Sequence, residues 1–222
     1  MIPEQETTLG TSDGVRLEGR LALPPAPTAG LVLCHPHPLY GGDMDNPVVV
    51  RVSEVLGALG AATLRFNFRG VGGSGGAHDG GPGETRDVEA ALAHLRASLD
   101  GEPLLLAGYS FGATIAAGVA VRPEARLAGL LLIAPPLTLS GDEPFLGLAT
   151  FRAPCLAVAG SHDEFCPRDA LDGLARRLPE AHVVVVDGAN HFFFGKLFPL
   201  GTAVAAWARP LVGRRGPATP PG

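Results

Sequence analysis

Short apolar segments of strand length alternate with segments of helical periodicity along most of this chain. Leu104–Gly108, Leu127–Ala134 and Cys155–Ala159 are continuous apolar runs, which is typical of strands buried on both faces of a sheet. Between consecutive runs lie segments with helical patterns, such as 111–121. This repetition of strand, helix and strand predicts an α/β fold, an open and mostly parallel twisted sheet with helices on both faces.

The N-terminal residues show a different pattern. Thr7–Thr11 and Val15–Leu23 read as extended runs, and they flank the turn tripeptide Ser12-Asp13-Gly14. Two extended runs joined by so short a turn form an antiparallel hairpin, which we expect at one edge of the sheet.

The length and composition suit one hydrophobic core. The chain has 222 residues, of which 46% are hydrophobic and 18% charged, and a chain of this size can bury a full core. We predict a single domain over residues 1–212 and a disordered tail over residues 213–222, where glycine, proline and arginine leave little to bury. The segment Pro135–Arg152 is too short for a folded cap, so we expect no large cap domain.

Charge, cysteine content and apolar run lengths indicate the partners and the cellular compartment to expect. The net charge of −5 argues against a nucleic-acid partner, and three cysteines are too few for a disulfide framework. The N-terminal residues show no basic and apolar leader, and no apolar run approaches the length of a membrane span. We expect a cytoplasmic protein, monomer or homodimer, that binds a small molecule and no membrane.

A serine lies where an apolar strand passes into a helix. The sequence Gly108-Tyr109-Ser110-Phe111-Gly112 matches G-x-S-x-G, and it follows the apolar run Leu104–Ala107. In this context the motif forms a sharp turn that exposes the serine hydroxyl at the carboxyl end of the sheet. We therefore predict that Ser110 is a nucleophile, and that the N–H of Phe111, at the helix N-terminus, binds a developing oxyanion.

A serine nucleophile needs a base and an acid that orients the base. On such a fold the acid and then the histidine follow the serine in chain order. Asp163 and His191 each come just after a predicted strand, so they are expected at the same sheet edge as Ser110. The sequence leaves three rivals for these roles: Glu164, His162 and Asp187.

The second oxyanion donor is expected in the loop after the third strand. Pro36 and Pro38 of this loop have no N–H, so a neighbour must donate. We favour His37 and keep Leu39 and Tyr40 as alternatives.

Two other motifs are weaker. His35 and His37 with Asp43 and Asp45 suggest a metal site, but no third histidine lies close by, so we predict no metal. The run Gly70–Gly75 matches a dinucleotide fingerprint, but no helix begins at its end to receive a pyrophosphate. We therefore predict that Gly70–Gly75 forms a loop near the active site and that the protein binds no cofactor.

Several segments together resemble the small serine α/β-hydrolases of the dienelactone-hydrolase-like group. The resemblance covers most of residues 7–208 and lies in CHPHPLYGGDMDNP (34–47), RFNFRGVGGSG (65–75), GYSFGA (108–113), IAPP (133–136) and HFFFGKL (191–197). It implies an α/β-hydrolase fold without a large cap and a catalytic triad of Ser110, Asp163 and His191. It also implies carboxylester hydrolysis, often of short acyl chains. Dienelactone hydrolases proper use a cysteine nucleophile, so Ser110 argues against that activity.

These observations predict a serine hydrolase that cleaves carboxylic esters through an acyl-enzyme on Ser110. We expect Tyr40 and Phe192 to contact the substrate. An acyl slot could be lined by Phe192, Phe193 and Phe194 together with Phe145, Leu146 and Tyr40, or the three consecutive phenylalanines could pack in the core of the closing helix. The same triad would serve an amidase, peptidase or thioesterase. A binding module that keeps the fold without turnover is the alternative from another class.

Overall fold

The computed structural model describes residues 2–212, and the predicted C-terminal tail, residues 213–222, lies outside them. The sheet has eight strands in the order β1-β2-β4-β3-β5-β6-β7-β8. The strands are β1 (Gln5–Gly10), β2 (Arg16–Ala22), β3 (Gly30–Cys34), β4 (Ala62–Phe66), β5 (Leu104–Tyr109), β6 (Gly129–Ile133), β7 (Cys155–Gly160) and β8 (Ala181–Val186).

Only the N-terminal hairpin departs from parallel pairing. β1 pairs antiparallel with β2, β2 pairs antiparallel with β4, and the pairs from β4 to β8 are all parallel. The prediction of a mostly parallel sheet with an antiparallel N-terminal hairpin is confirmed. Parallel strands have their carboxyl ends at one edge, so the loops after β3, β5, β7 and β8 all begin there.

Helices cover both faces of the sheet. They are α1 (Pro47–Ala58), α2 (Pro82–Arg96), α3 (Phe111–Ala120), α4 (Leu137–Ser140), α5 (Arg168–Ala175) and α6 (Leu197–Ala208). The buried side chains of α1 and α6 form one core with one face of the sheet, and those of α2, α3 and α5 form the other core. The parallel strands β3 to β7 are therefore buried on both sides, which explains the continuous apolar runs.

Local signals set the start of α1. The side chain of Asn46 accepts a hydrogen bond from the N–H of Val48 (3.0 Å), and Pro47 occupies the first helical position. Such a cap stabilises a helix by about 1 kcal/mol. The helix therefore begins at Pro47.

The segment Pro135–Arg152, predicted to be too short for a folded cap, contains the short helix α4 and a 3₁₀ helix over Glu143–Thr150. The 3₁₀ helix packs against α3, with Phe145 and Leu148 buried. No cap domain is present within the described part of the chain, residues 2–212.

A buried ion pair joins three parts of the fold. Arg69, which follows β4, lies 2.7 Å from Asp87 of α2 and 3.0 Å from Asp13 in the turn of the hairpin. The carboxylate of Asp87 is fully buried and also accepts the backbone N–H of Arg69 (2.9 Å). These hydrogen bonds raise the pKa of Arg69 above its usual range and hold the loop after β4 against α2 and the hairpin.

The glycine-rich run Gly70–Gly75 lies against the hairpin. The N–H of Gly75 donates to the carbonyl of Arg16 (2.8 Å), and the hydroxyl of Ser74 donates to the carbonyl of Asn67 (2.7 Å) and accepts the N–H of Glu18 (2.9 Å). The run is therefore held against β2 and Asn67 by its own hydrogen bonds, which agrees with the prediction that it forms a loop.

Candidate active site

Ser110 occupies a strained turn between β5 and α3. Its φ is 53° and its ψ is −118°, a conformation that costs a residue other than glycine about 1–3 kcal/mol. The turn is held by very close packing. A Cβ added at Gly108 would lie 2.2 Å from the carbonyl oxygen of Gly112, and one added at Gly112 would lie 2.5 Å from the carbonyl oxygen of Cys34. Only glycine fits at these two positions, so the motif follows from the geometry of the turn.

The structure brings Ser110, His191 and Asp163 into one chain of hydrogen bonds. His191 Nε2 lies 3.0 Å from Ser110 Oγ, and His191 Nδ1 lies 3.0 Å from both carboxylate oxygens of Asp163. His191 and Asp163 are buried, and Ser110 is half-buried. The three side chains come from loops after β5, β7 and β8, because the carboxyl ends of these strands share one edge.

Backbone donors fix the carboxylate of Asp163. Its Oδ1 accepts the N–H of Phe165 (2.9 Å) and the N–H of Cys166 (3.0 Å). With His191 as a third partner, the charged carboxylate has the donors that a buried acid requires. An ionised Asp163 accepts from His191 Nδ1–H, which leaves Nε2 free to accept a proton from Ser110.

The loops that carry the acid and the base are joined directly. The N–H of His162 donates to the carbonyl of Ala189 (2.9 Å). The hydroxyl of Tyr109 donates to the carbonyl of His191 (3.0 Å), and the ring of Phe165 lies edge-on to the imidazole at 4.8 Å. Phe165 and the Tyr109 hydroxyl support His191, and sequence reasoning did not identify either.

The three rival residues do not contact this chain of hydrogen bonds. Glu164, His162 and Asp187 are exposed, and the hydrogen bonds of the described residues 2–212 place none of their side chains on Ser110 or His191. The geometry therefore favours Asp163 and His191 over them.

The backbone of the loop after β3 narrows the choice of the second oxyanion donor. The N–H of Leu39 donates to His37 Nδ1 (3.2 Å), and the N–H of Tyr40 donates to the carbonyl of His37 (3.1 Å). Among the hydrogen bonds found within residues 2–212, none uses the N–H of His37. Phe111 is the first residue of α3, where a helix provides no acceptor for the N–H.

The two predicted substrate contacts, Tyr40 and Phe192, are both exposed and pack on different histidines. Tyr40 is 86% exposed and its ring lies 4.7 Å from that of His37; Phe192 is 52% exposed and lies edge-on to His191 at 5.5 Å. Phe193 is fully buried in the core under α6, so it does not line an acyl slot. Phe194 is exposed and stacks on Phe192 at 5.4 Å.

His35 has a structural role. Its Nε2 accepts the N–H of Phe68 (3.0 Å), so its Nδ1 carries the proton and donates to the carbonyl of Pro36 (2.6 Å). Both ring nitrogens are therefore occupied, and burial lowers the pKa of His35 to about 4. Within residues 2–212 no group of three or more histidine, cysteine or acidic residues is placed to hold a metal ion.

The cysteines are buried in the core. Burial raises the pKa of the Cys155 thiol to about 12, and it raises the pKa of Cys34 and of Cys166 still further. All three are therefore neutral thiols that pack as small apolar side chains.

The sheet order, the strained turn at Ser110 and the histidine–carboxylate pair define a class of proteins. Residues 27–197 match the family model described as an alpha/beta hydrolase domain, and this chain belongs to the α/β-hydrolase family.

The similar proteins below cover between 80% and 99% of this chain. An uncharacterized protein of Rickettsia prowazekii is 38% identical over 187 residues, which are 80% of this chain and 78% of the relative. The structure of an alpha-beta serine hydrolase homologue from Coxiella burnetii has a TM-score of 0.83 at 36% identity, with 91% of this chain and 96% of that one covered. A serine hydrolase without lid from Xanthomonas campestris has a TM-score of 0.83 at 32% identity, with 99% and 98% covered. None of the helices in the described residues has the length and apolarity to cross a membrane.

Proposed function

We propose that this protein is a serine hydrolase that cleaves carboxylic esters, with Ser110, His191 and Asp163 as its catalytic triad. The observation that carries the proposal is the hydrogen-bond chain in which Ser110 Oγ, the imidazole and the carboxylate lie 3.0 Å apart at each step. A solvent-accessible serine with a buried histidine–carboxylate pair is the arrangement that activates a hydroxyl as a nucleophile. The serine hydrolases among its relatives support the same reaction class.

The reaction proceeds in two acyl-transfer steps. Ser110 Oγ attacks the ester carbonyl while His191 Nε2 takes its proton, and the oxyanion that forms accepts hydrogen bonds from the N–H groups of Phe111 and His37. His191 then gives the proton to the departing alcohol, which leaves an acyl-enzyme. Water, deprotonated by His191, attacks the acyl carbonyl; the bond to Ser110 Oγ then breaks, His191 returns the proton to this oxygen, and the acid is released. Asp163 holds the imidazole in the required tautomer throughout.

The surroundings of the triad suit small, unhindered esters. The segment between β6 and β7 forms only a short helix and a 3₁₀ helix, so no cap encloses a long acyl chain within residues 2–212. Phe192 beside His191 and Tyr40 beside His37 offer exposed rings to a substrate. We expect turnover to be highest with short acyl chains in a series of p-nitrophenyl esters from acetate to palmitate.

Two assays test the proposal. We expect Ser110→Ala to lower kcat for p-nitrophenyl acetate by about 10⁴–10⁶-fold, because the remaining oxyanion donors alone retain little catalysis. A fluorophosphonate probe should label the wild-type protein on Ser110 and leave the variant unlabelled. Ser12, an exposed serine in the turn of the hairpin, provides the matched control, and Ser12→Ala should keep wild-type turnover.

Other outcomes would identify a different function. Turnover of an unactivated amide or a thioester faster than that of the ester would assign the same triad to an amidase or a thioesterase. A wild-type protein that neither turns over esters nor reacts with the probe would contradict the hydrolase proposal and favour a binding module.

A further inference from the structure

A second histidine–carboxylate pair lies beside the proposed oxyanion hole. His78 Nδ1 is 2.8 Å from Glu84 Oε1, and Glu84 is fully buried. The carboxylate of Glu84 also accepts the N–H groups of Asp79 (3.2 Å) and Gly81 (2.7 Å). This arrangement repeats that of Asp163, since each buried carboxylate accepts two backbone N–H groups and one imidazole Nδ1–H. The ring of His78 is thereby fixed in orientation.

The ring of His78 packs on both residues that would donate to the oxyanion. Its centroid lies 4.9 Å from that of His37 and 5.4 Å from that of Phe111. His37 and Phe111 in turn lie 4.9 Å apart, and Phe68 contacts Phe111 from another side at 5.9 Å. The side chains of His37, His78 and Phe111 thus form one ring cluster, in which each ring touches the other two.

This cluster joins two segments that approach the oxyanion from different sides. His37 belongs to the loop after β3, and Phe111 begins α3. Two N–H groups stabilise an oxyanion only when both lie about 2.7–3.1 Å from its position. Within residues 2–212 the N–H of His37 makes no backbone hydrogen bond, while its carbonyl accepts the N–H groups of Tyr40 and Gly42. The ring cluster adds a side-chain contact that ties His37 to Phe111.

We propose that His78, held by Glu84, is a positioning residue that keeps the N–H groups of His37 and Phe111 directed at a common point. The inference rests on the proposed function, since it assigns a role within the oxyanion hole. His78 touches neither the nucleophile nor the base in the hydrogen-bond chain of the triad, so its effect passes through the ring cluster.

Helix capping is a separate role, and Glu84 fulfils it without His78. The bond from the Gly81 N–H to Glu84 Oε2 caps the start of α2, and Asp79 accepts the N–H of Gly83 (2.8 Å) at the same helix end. Substitution of His78 leaves these bonds in place. A loss of turnover in a folded variant would therefore report on the ring cluster.

The test uses two variants that remove different halves of the interaction. His78→Phe keeps a ring against Phe111 and loses the bond to Glu84, whereas His78→Gln keeps a donor for Glu84 and loses the ring. His94→Phe is the control, because His94 is a half-buried histidine on α2 whose partner is Thr7 in the hairpin. Circular dichroism and the thermal midpoint show that each variant is folded, and either variant alone suffices for the test.

We expect kcat for p-nitrophenyl acetate to fall about 10–100-fold in each His78 variant with KM nearly unchanged, since the oxyanion exists only in the transition state. The inhibition constant of phenylboronic acid, whose serine adduct is tetrahedral, should rise by a similar factor. His94→Phe should change neither value. These results together would support the positioning role.

The inference is overturned if a folded His78 variant keeps kcat within about twofold, or if the change lies in KM and leaves boronic acid inhibition as in the wild type. Wild-type protein that lacks esterase turnover and probe labelling would instead overturn the proposed function, and this inference with it.

Discussion

Replacing Asp163 by asparagine tests the proposed triad, because the substitution exchanges one carboxylate oxygen for an NH₂ group and keeps the other oxygen. Oδ1 of Asp163 accepts the N–H groups of Phe165 and Cys166, whereas the bond to His191 Nδ1 is the one interaction of Oδ2 in the described structure. In Asp163→Asn the amide oxygen has to keep the position of Oδ1, because an NH₂ group there would face two donors. The amide nitrogen then takes the position of Oδ2, 3.0 Å from His191 Nδ1.

Oδ1 also lies 3.0 Å from Nδ1, but an NH₂ group at the Oδ2 position cannot face an Nδ1–H, so this orientation favours the other tautomer of the imidazole. Nδ1 becomes an acceptor for the amide N–H, so the ring proton moves to Nε2, which can then no longer accept the proton of Ser110. We expect kcat for p-nitrophenyl acetate to fall by about 10⁴-fold at neutral pH, the cost found when a triad histidine is held in the wrong tautomer. Stopped assays at high enzyme concentration can measure so small a rate.

The fold should survive the substitution, because both backbone bonds to Oδ1 are kept. Glu164→Gln changes the neighbouring exposed carboxylate to an amide and should retain wild-type turnover. Asp163→Asn with kcat within about tenfold of the wild type, in a protein of unchanged thermal midpoint, would refute the role given to Asp163.

Two further predictions concern stability. Asp87→Ala removes the buried partner of Arg69 and leaves its guanidinium with Asp13 alone. The free energy of unfolding, measured in urea, should therefore fall by about 3–5 kcal/mol. A loss below about 1 kcal/mol would contradict the importance of this pair. The second prediction concerns the pKa of His35, about 4 in the folded protein and about 6.5 in an unfolded chain. Between these values the unfolded state binds more protons, so stability falls as the pH is lowered from 7 to 5, by about 2 kcal/mol from this residue. His35→Asn has no ring to protonate and should lose about 2 kcal/mol less than the wild type over that interval, whereas an equal loss in both proteins would contradict the assignment.

The sequence predicts most of the sheet and the position of the candidate triad. Strands buried on both faces appear as continuous apolar runs, and residues that follow such runs lie at one edge by topology alone. Ser110, Asp163 and His191 could therefore be placed together without coordinates. The serine turn was also predictable, because its glycines are imposed by backbone contacts such as that of Gly112 with Cys34.

Features that depend on side-chain packing could not be predicted. Phe192 and Phe193 are neighbours of the same type, yet one is half-exposed and the other is buried, because a positive φ of 53° at Phe193 turns the chain between them. The pairing of His78 with Glu84 has no periodic signal, since it lies where a glycine-rich loop becomes a helix. The start of α2 at Pro82 depends on the same local bonds.

The direct bond between the loops of His162 and Ala189 has a consequence for heat inactivation. This bond ties the loop of Asp163 to the loop of His191. Ser110 follows β5, which lies two strands from β7 toward the middle of the sheet. β8 is an edge strand with partly exposed valines, and edge elements open locally at lower free energy than central ones. Warming that detaches β8 would withdraw the imidazole and leave the strained serine intact, so turnover should vanish at a temperature below that of global melting.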